Sequence, residues 1–258
     1  MKVIVHPNYK YVEDFIVKIP EIFDKEGEVV YLGRNIVKKF NQNGTNFYVK
    51  RYKKPLLIQR IIYTFFRPTK TSRAYNFAAE FRKRGIETPH EVAYIELFKN
   101  KLFDTGYFVS LECTYHSMKE EISNNSEFNK SLINSMVDFL IDVHNKGIFH
   151  GDTNLSNIYF NQENGKYKFA FIDINRSKFY AMNTKLRIEN LTRLTHNLTL
   201  YTYIVRRYAQ KMAWNETKTL MEAYENLYKL EQKSYLKKKL KEKNKTSNST
   251  NKLSNNRN

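Results

Sequence analysis

An α+β fold in two lobes, a small antiparallel β lobe with one main helix and then a larger, mainly helical lobe, is predicted by three features of the chain. Short β-rich runs punctuated by lone glycines and Asn-Gly fill its first third. From Asn129 the apolar period becomes that of a helix. Between residues 184 and 240 both period and composition stay helical. With 258 residues, 41% of them apolar, the chain can bury a core, which excludes a disordered or fibrous protein.

The first lobe is expected over residues 1–114. Glu28–Leu32, Asn35–Phe40 and Asn46–Tyr52 read as strands, separated by Gly33-Arg34 and by Asn41-Gln42-Asn43-Gly44. A helix follows over Thr71–Arg84, where Ala74, Phe77, Ala78 and Phe81 recur at helical spacing and Gly85 supplies the stop. Glu91–Phe98 and Gly106–Thr114 read as two further strands. The second lobe is expected over 115–240. Its first helix carries Leu132, Ile133, Met136, Val137, Leu140 and Ile141 on one face and ends at Asn145-Lys146-Gly147. Strands Ile158–Phe160 and Tyr167–Ile172 flank the turn Asn161–Gly165. Residues 241–258 are expected to be a disordered basic tail, since Thr246–Asn258 is too polar to fold alone.

The formal charge is +18, and residues 231–258 hold +7 of it. The excess left in the body of the chain points to polyanionic partners: nucleotides, phosphorylated or acidic glycans, an anionic membrane surface or nucleic acid. One cysteine, Cys113, excludes an intramolecular disulfide framework and any multi-cysteine metal site, and fits a reducing compartment. The start, Met1 to Pro7, is interrupted too soon for a signal peptide, and no apolar run reaches the roughly 18 residues that span a bilayer. A cytoplasmic location is expected, with a peripheral place on the inner face of the inner membrane as its variant.

The strongest chemical signal is His150-Gly151-Asp152-Thr153-Asn154-Leu155-Ser156-Asn157, followed sixteen residues later by Asp173 at the end of an apolar strand. Asp and Asn are also ordinary turn residues. His-Gly-Asp with Asn five residues later, however, arises by chance only on the order of once in a thousand such sequences or less, before the second Asp is required, and it lies between an amphipathic helix and a hairpin, where it is required. Phosphoryl transfer needs a carboxylate at the acceptor hydroxyl and oxygen ligands on Mg²⁺. A tight loop would present Asp152 to the acceptor and Asn157 to the metal, and the hairpin would bring Asp173 to the same ion. His150 is grouped with Asp152 as the residue that orients the loop.

A lysine for the nucleotide phosphates is expected from the small lobe, and Phe47-Tyr48-Val49-Lys50 has the right form. Lys53 and Lys54 lie past the strand, at Pro55. A partner for Lys50 is expected on the following helix, either Glu80 or Asn76. The turn between the first two strands has only Gly33, so phosphate cover there would fall to backbone N–H groups around Leu32–Asn35. Adenine would be bound by backbone in the hinge Leu111–Tyr115, through Glu112 and Cys113, the latter read as a packed small residue.

At this point the chain resembles the bacterial lipopolysaccharide kinases of the Kdo/WaaP type. The resemblance rests on Val49-Lys50-Arg51-Tyr52, Phe65-Phe66-Arg67-Pro68-Thr69-Lys70, Arg84-Gly85-Ile86-Glu87-Thr88-Pro89, Ala93-Tyr94-Ile95-Glu96, His150-Gly151-Asp152 with Asn157, and Ile172-Asp173-Ile174-Asn175-Arg176. It implies a two-lobed protein-kinase-like fold that transfers the γ-phosphate of ATP to a Kdo or heptose hydroxyl of the lipopolysaccharide inner core. It implies Lys50 on the phosphates, Asp152 as base, and Asn157 with Asp173 on Mg²⁺. Some relatives carry Glu where this chain has Asn76, and the spacing from Asn157 to Asp173 is longer than in protein kinases. No Ala-Pro-Glu follows Asp173 and Gly151 replaces the arginine of many protein kinases, so control by a phosphorylated activation loop is not expected.

Between Lys50 and Arg73 lie eight basic residues and no acidic one, and there Leu57, Ile58, Ile61, Ile62 and Phe65 fall at helical spacing. A basic amphipathic helix of this kind either packs on the small lobe or lies in an anionic bilayer interface. Lys237-Lys238-Lys239-Leu240-Lys241 is a second basic run, read as a solvated helix end. Competing functions are a soluble phosphotransferase of the aminoglycoside or choline type and a catalytically silent binding module. Nucleic-acid binding ranks third, because no reader motif accompanies the charge. No stable protein partner is inferred.

Overall fold

A computed structural model describes residues 1–125 and 127–254, with side chains as far as Lys239. Strand β1 (Lys2–Val5) leads through a 3₁₀ turn at Pro7–Val12 into helix α1 (Glu13–Ile22). Strands β2 (Glu28–Leu32), β3 (Ile36–Gln42) and β4 (Thr45–Arg51) follow, then helices α2 (Leu57–Phe65) and α3 (Lys70–Lys83). The hairpin β5 (Glu91–Lys99) and β6 (Leu102–Leu111) completes the sheet. Among the described residues six strands form it, in the order β1-β5-β6-β4-β3-β2, each pair antiparallel.

Alternation along β4 decides which residues the sheet offers to which side. Phe47 and Val49 are fully buried among Ile16, Ile19 and Phe23 of the α1 region, whereas the intervening Tyr48 and Lys50 turn to the other face. Helix α3 starts at Thr69, whose hydroxyl accepts from the Ser72 N–H, and buries Ala74, Ala78 and Phe81. It stops where Gly85 takes φ +67°, a left-handed value that glycine adopts without strain.

Next come β7 (His116–Ser117), α4 (Met118–Asn124) and α5 (Lys130–Asn145). Asn129 caps α5 by accepting from the Ser131 and Leu132 N–H groups, and the buried stripe runs from Leu132 to His144. Then β8 (Ile148–Phe149), β9 (Ile158–Glu163), β10 (Lys166–Phe171) and β11 (Lys178–Phe179) frame the His-Gly-Asp loop. The β9–β10 hairpin turns at Asn164-Gly165, both at positive φ. Helices α6 (Thr184–Leu191), α7 (Leu198–Lys211) and α8 (Glu216–Ser254) complete the described chain.

The chain divides into two compact units, Met1–Ala181 and Met182–Asn258, where the sequence suggested a boundary at 114. Aromatic packing explains the later boundary. Phe77 and Phe81 of α3 meet Phe171 and Phe179 of the loop hairpins at ring separations of 5.1–6.3 Å, which joins the β lobe to the loop segment. The second unit has its own core of Ile188, Tyr201, Val205, Ala223 and Leu227. The tail expected from 241 onward falls on residues whose side chains lie outside the described set, although helix α8 is assigned as far as Ser254.

Candidate active site

Lys50, Asp152, Asn157 and Asp173 all lie in the first unit. Lys50, on the face of β4 turned away from the α1 core, places its Nζ 2.8 Å from Asp173 Oδ1. Asp173 follows β10 at φ 54°, ψ 43°, a left-handed conformation that a non-glycine residue holds only where its surroundings impose it. The Asn175 side-chain amide donates to the same Oδ1. Burial, the largest influence, works to raise the Asp173 carboxyl, but Lys50 together with His150 and Arg176 holds the group below the usual carboxylate range.

The loop itself is built on backbone. Gly151 has φ +75°, and a Cβ there would lie 2.7 Å from the Arg176 carbonyl oxygen, so no larger residue fits without a shift. The Asn157 side-chain amide donates to the Asp152 carbonyl at 2.9 Å, and the Ile172 N–H donates to the Asn157 carbonyl at 2.9 Å. These two bonds tie the loop to the strand that delivers Asp173. Asp152 keeps its carboxylate partly exposed, where Oδ2 accepts from the Arg176 guanidinium at 2.7 Å.

His150 is fully buried, stacked on Phe171 at 4.3 Å, with Nε2 3.2 Å from the Ile172 carbonyl. Burial brings its imidazole down to about 4, so the ring is neutral at physiological pH and holds the loop in place.

The remaining candidates fall as follows. Glu80 forms its ion pair with Arg84 at 2.7 Å, and the Asn76 amide donates to Ser72 Oγ at 3.2 Å; Lys50 pairs with Asp173 and not with this helix. An i,i+4 arginine on the same helix captures the glutamate. Gly33 sits in the β2–β3 turn, donating its N–H to the Asn35 carbonyl. Glu112 accepts from Asn46 at 2.7 Å, Lys39 at 3.0 Å and Tyr48 at 3.0 Å, contacts that hold its carboxyl below the usual range, and its N–H donates to the Asn46 carbonyl at 3.3 Å. Burial pushes the half-buried Cys113 thiol up.

Three further residues, each inside a quoted sequence block but given no role there, gather beside Lys50 and Asp173. Tyr52 is buried, with the Lys50 ammonium 5.4 Å and the Lys70 ammonium 6.0 Å from its ring centroid. Burial, then the neighbouring Arg34, Arg176 and Arg73, lower the Lys70 ammonium below its ordinary range. Lys70 therefore lies in a cation-rich surround beside the Asp173 carboxylate. Arg176 stands three residues beyond Asp173, at the end of a 3₁₀ turn, and that short spacing was the available signal.

The donor set suits a hard divalent cation: the Asp173 carboxylate and, because its nitrogen is committed to Asp152, the Asn157 carboxamide oxygen. A model of the lipopolysaccharide kinase (Kdo/WaaP) family matches residues 24–224, which takes in β2 through α7 and most of the first turns of α8. The chain belongs to the lipopolysaccharide kinase (Kdo/WaaP) family. Among solved structures, the chain is similar to WaaP in complex with acyl carrier protein, at 15% identity and a TM-score of 0.58, over 91% of this chain and 98% of that one. At this identity the likeness speaks for the fold: a mixed α/β architecture with an antiparallel β lobe and a helical region. A search of curated proteins finds no match.

Proposed function

We propose that the chain transfers the γ-phosphate of ATP, with Mg²⁺, to a hydroxyl of Kdo or heptose in the lipopolysaccharide inner core. The observation that carries this reading is the convergence of Lys50, Asp173, Asn157 and Asp152 through one ion pair and one loop. Asp152 accepts the proton of the acceptor hydroxyl as its oxygen bonds to the γ-phosphorus and the bond to the β,γ-bridging oxygen breaks, leaving ADP. Lys50 holds the nucleotide phosphates, backbone around Leu32–Asn35 covers them, and the hinge backbone, through the Glu112 carbonyl and Cys113, receives the adenine. Asn157 and Asp173 would hold Mg²⁺, which when bound neutralises phosphate charge. His150 positions the loop.

The cation cluster supports an acidic glycan acceptor beside the nucleotide. Arg34, Arg176 and Arg73 each lie close enough to Lys70 to disfavour its charge, and a polyanionic substrate would relieve that repulsion. The test is Mg²⁺-ATP-dependent labelling of a panel of Kdo- and heptose-containing lipid A cores, with aminoglycosides and amino-alcohols as rivals. Label in the core glycan is expected and identifies the sugar. Label confined to the soluble alcohols contradicts the acceptor.

A further inference from the structure

Helix α2 (Leu57–Phe65) is amphipathic, yet its apolar side faces outward. Arg60 donates through Nε to the Phe103 carbonyl at 2.8 Å, Thr64 Oγ1 accepts from the Phe103 N–H at 2.9 Å, and the Tyr63 and Phe103 rings lie 5.8 Å apart. Arg60 also pairs with Asp104 of the same strand at 3.2 Å. The polar side is thus the anchored one, against β6. Leu57, Ile58, Ile61, Ile62 and Phe65 are all exposed, Ile58 at 72%, and none of the helix is buried. Phe66, at 79%, extends the strip past the helix end.

Large apolar side chains concentrated on one exposed helix face mark an interaction surface. The charge around them selects the occupant. From Lys50 to Arg73 the chain has eight basic residues and no acidic one; Lys50, Arg51, Lys54 and Arg60 are paired with Asp173, Asp24 and Asp104, while exposed Lys53 and Arg67 bracket the helix at its two ends. A second copy of the chain would bring like charges together. The strip lies on the outer side of a helix that rides on the sheet, and an aliphatic and aromatic ridge between two cations fits a headgroup layer, where the side chains enter the acyl boundary and the cations meet lipid phosphates.

We propose that α2 lies in the plane of an anionic membrane surface, inserting Ile58, Ile62 and Phe65 while Lys53 and Arg67 contact lipid headgroups. This is independent of the kinase reading, since it concerns binding without nucleotide.

The experiment is co-sedimentation of the full chain with vesicles of phosphatidylcholine alone or mixed equally with phosphatidylglycerol. Binding to the anionic vesicles is expected, at least tenfold tighter than to neutral ones and weakened by salt. The Ile58→Ser, Ile62→Ser double variant should lose at least tenfold, with an unchanged melting temperature and elution volume. A solvatochromic dye on Ile58→Cys, in a Cys113→Ser background, should shift to the blue on anionic vesicles, which keeps the test open if the double variant does not fold. Equal binding by a folded double variant, or a bound protein whose dye does not shift, overturns the proposal. So does wild-type protein that ignores both vesicles and instead forms Ile58-dependent dimers, or binds a soluble acidic protein through the same face.

Discussion

The Lys50 ammonium and the Asp173 carboxylate form a 2.8 Å ion pair that links the third strand of the first lobe's three-strand run to the residue ending the loop hairpin. The two residues are 123 positions apart in sequence. In the proposed reaction Lys50 engages phosphate and Asp173 engages the metal, so the pair opens as substrate binds.

Replacing Asp173 with Ala should abolish metal-dependent nucleotide binding and leave Lys50 without its carboxylate. Calorimetric titration with ATP in the presence and absence of Mg²⁺ checks this. The variant should show no gain in affinity from the metal, whereas a wild-type metal response would remove Asp173 from the ligand set.

Gly151→Ala tests the loop geometry. The added Cβ meets the Arg176 carbonyl oxygen at 2.7 Å, and φ is +75°. The cost should be about 1–3 kcal/mol, read as a lower denaturation midpoint with an unchanged m-value, accompanied by a loss of transfer. An unchanged midpoint would mean that the loop tolerates a side chain there.

The fully buried His150 gives the protein a pH dependence with a definite sign. Its imidazole has a value of about 4 when folded and an ordinary value of 6.5, so the unfolded chain binds the proton first. The stabilisation is complete above about pH 6.5 and is lost as pH falls toward 4, amounting to roughly 3 kcal/mol over that interval. Urea unfolding at a series of pH values should show this slope in wild type and a flatter one in His150→Gln. Equal slopes would assign the acid sensitivity to other groups.

Arg176→Ala removes the guanidinium that rests on Asp152 at 2.7 Å. Transfer should fall about 10- to 100-fold through kcat, with ATP affinity retained, because the carboxylate loses its fixed position. Steady-state kinetics distinguishes this from a binding role. A change confined to acceptor KM would make Arg176 an acceptor contact.

Much of this architecture was readable in advance. The strands around Lys50 alternate cleanly, glycine and Asn-Gly mark their turns, and the helix ending near Gly147 carries a continuous apolar stripe. β1 and α1 were not readable: one has four residues, and the other begins without a side-chain cap and contains Pro20. Periodicity showed that Leu57–Phe65 has an apolar face but not which way it turns, because that depends on Arg60 and Thr64 bonding to Phe103 forty residues away. The loop residues were legible from their spacing. The pairing of Lys50 was not, since the helix glutamate offered for it is taken by Arg84, a neighbour one turn on. The Arg176–Asp152 contact likewise exists only once the hairpin has closed.

The most direct test of the central claim compares wild type and Asp152→Asn for Mg²⁺-ATP-dependent phosphate transfer to inner-core lipopolysaccharide, with ATP affinity measured on both. The account predicts phosphorylated core from wild type, a fall of at least 10²- to 10⁴-fold in the variant, and unchanged nucleotide affinity. Near-wild-type turnover by Asp152→Asn would contradict it.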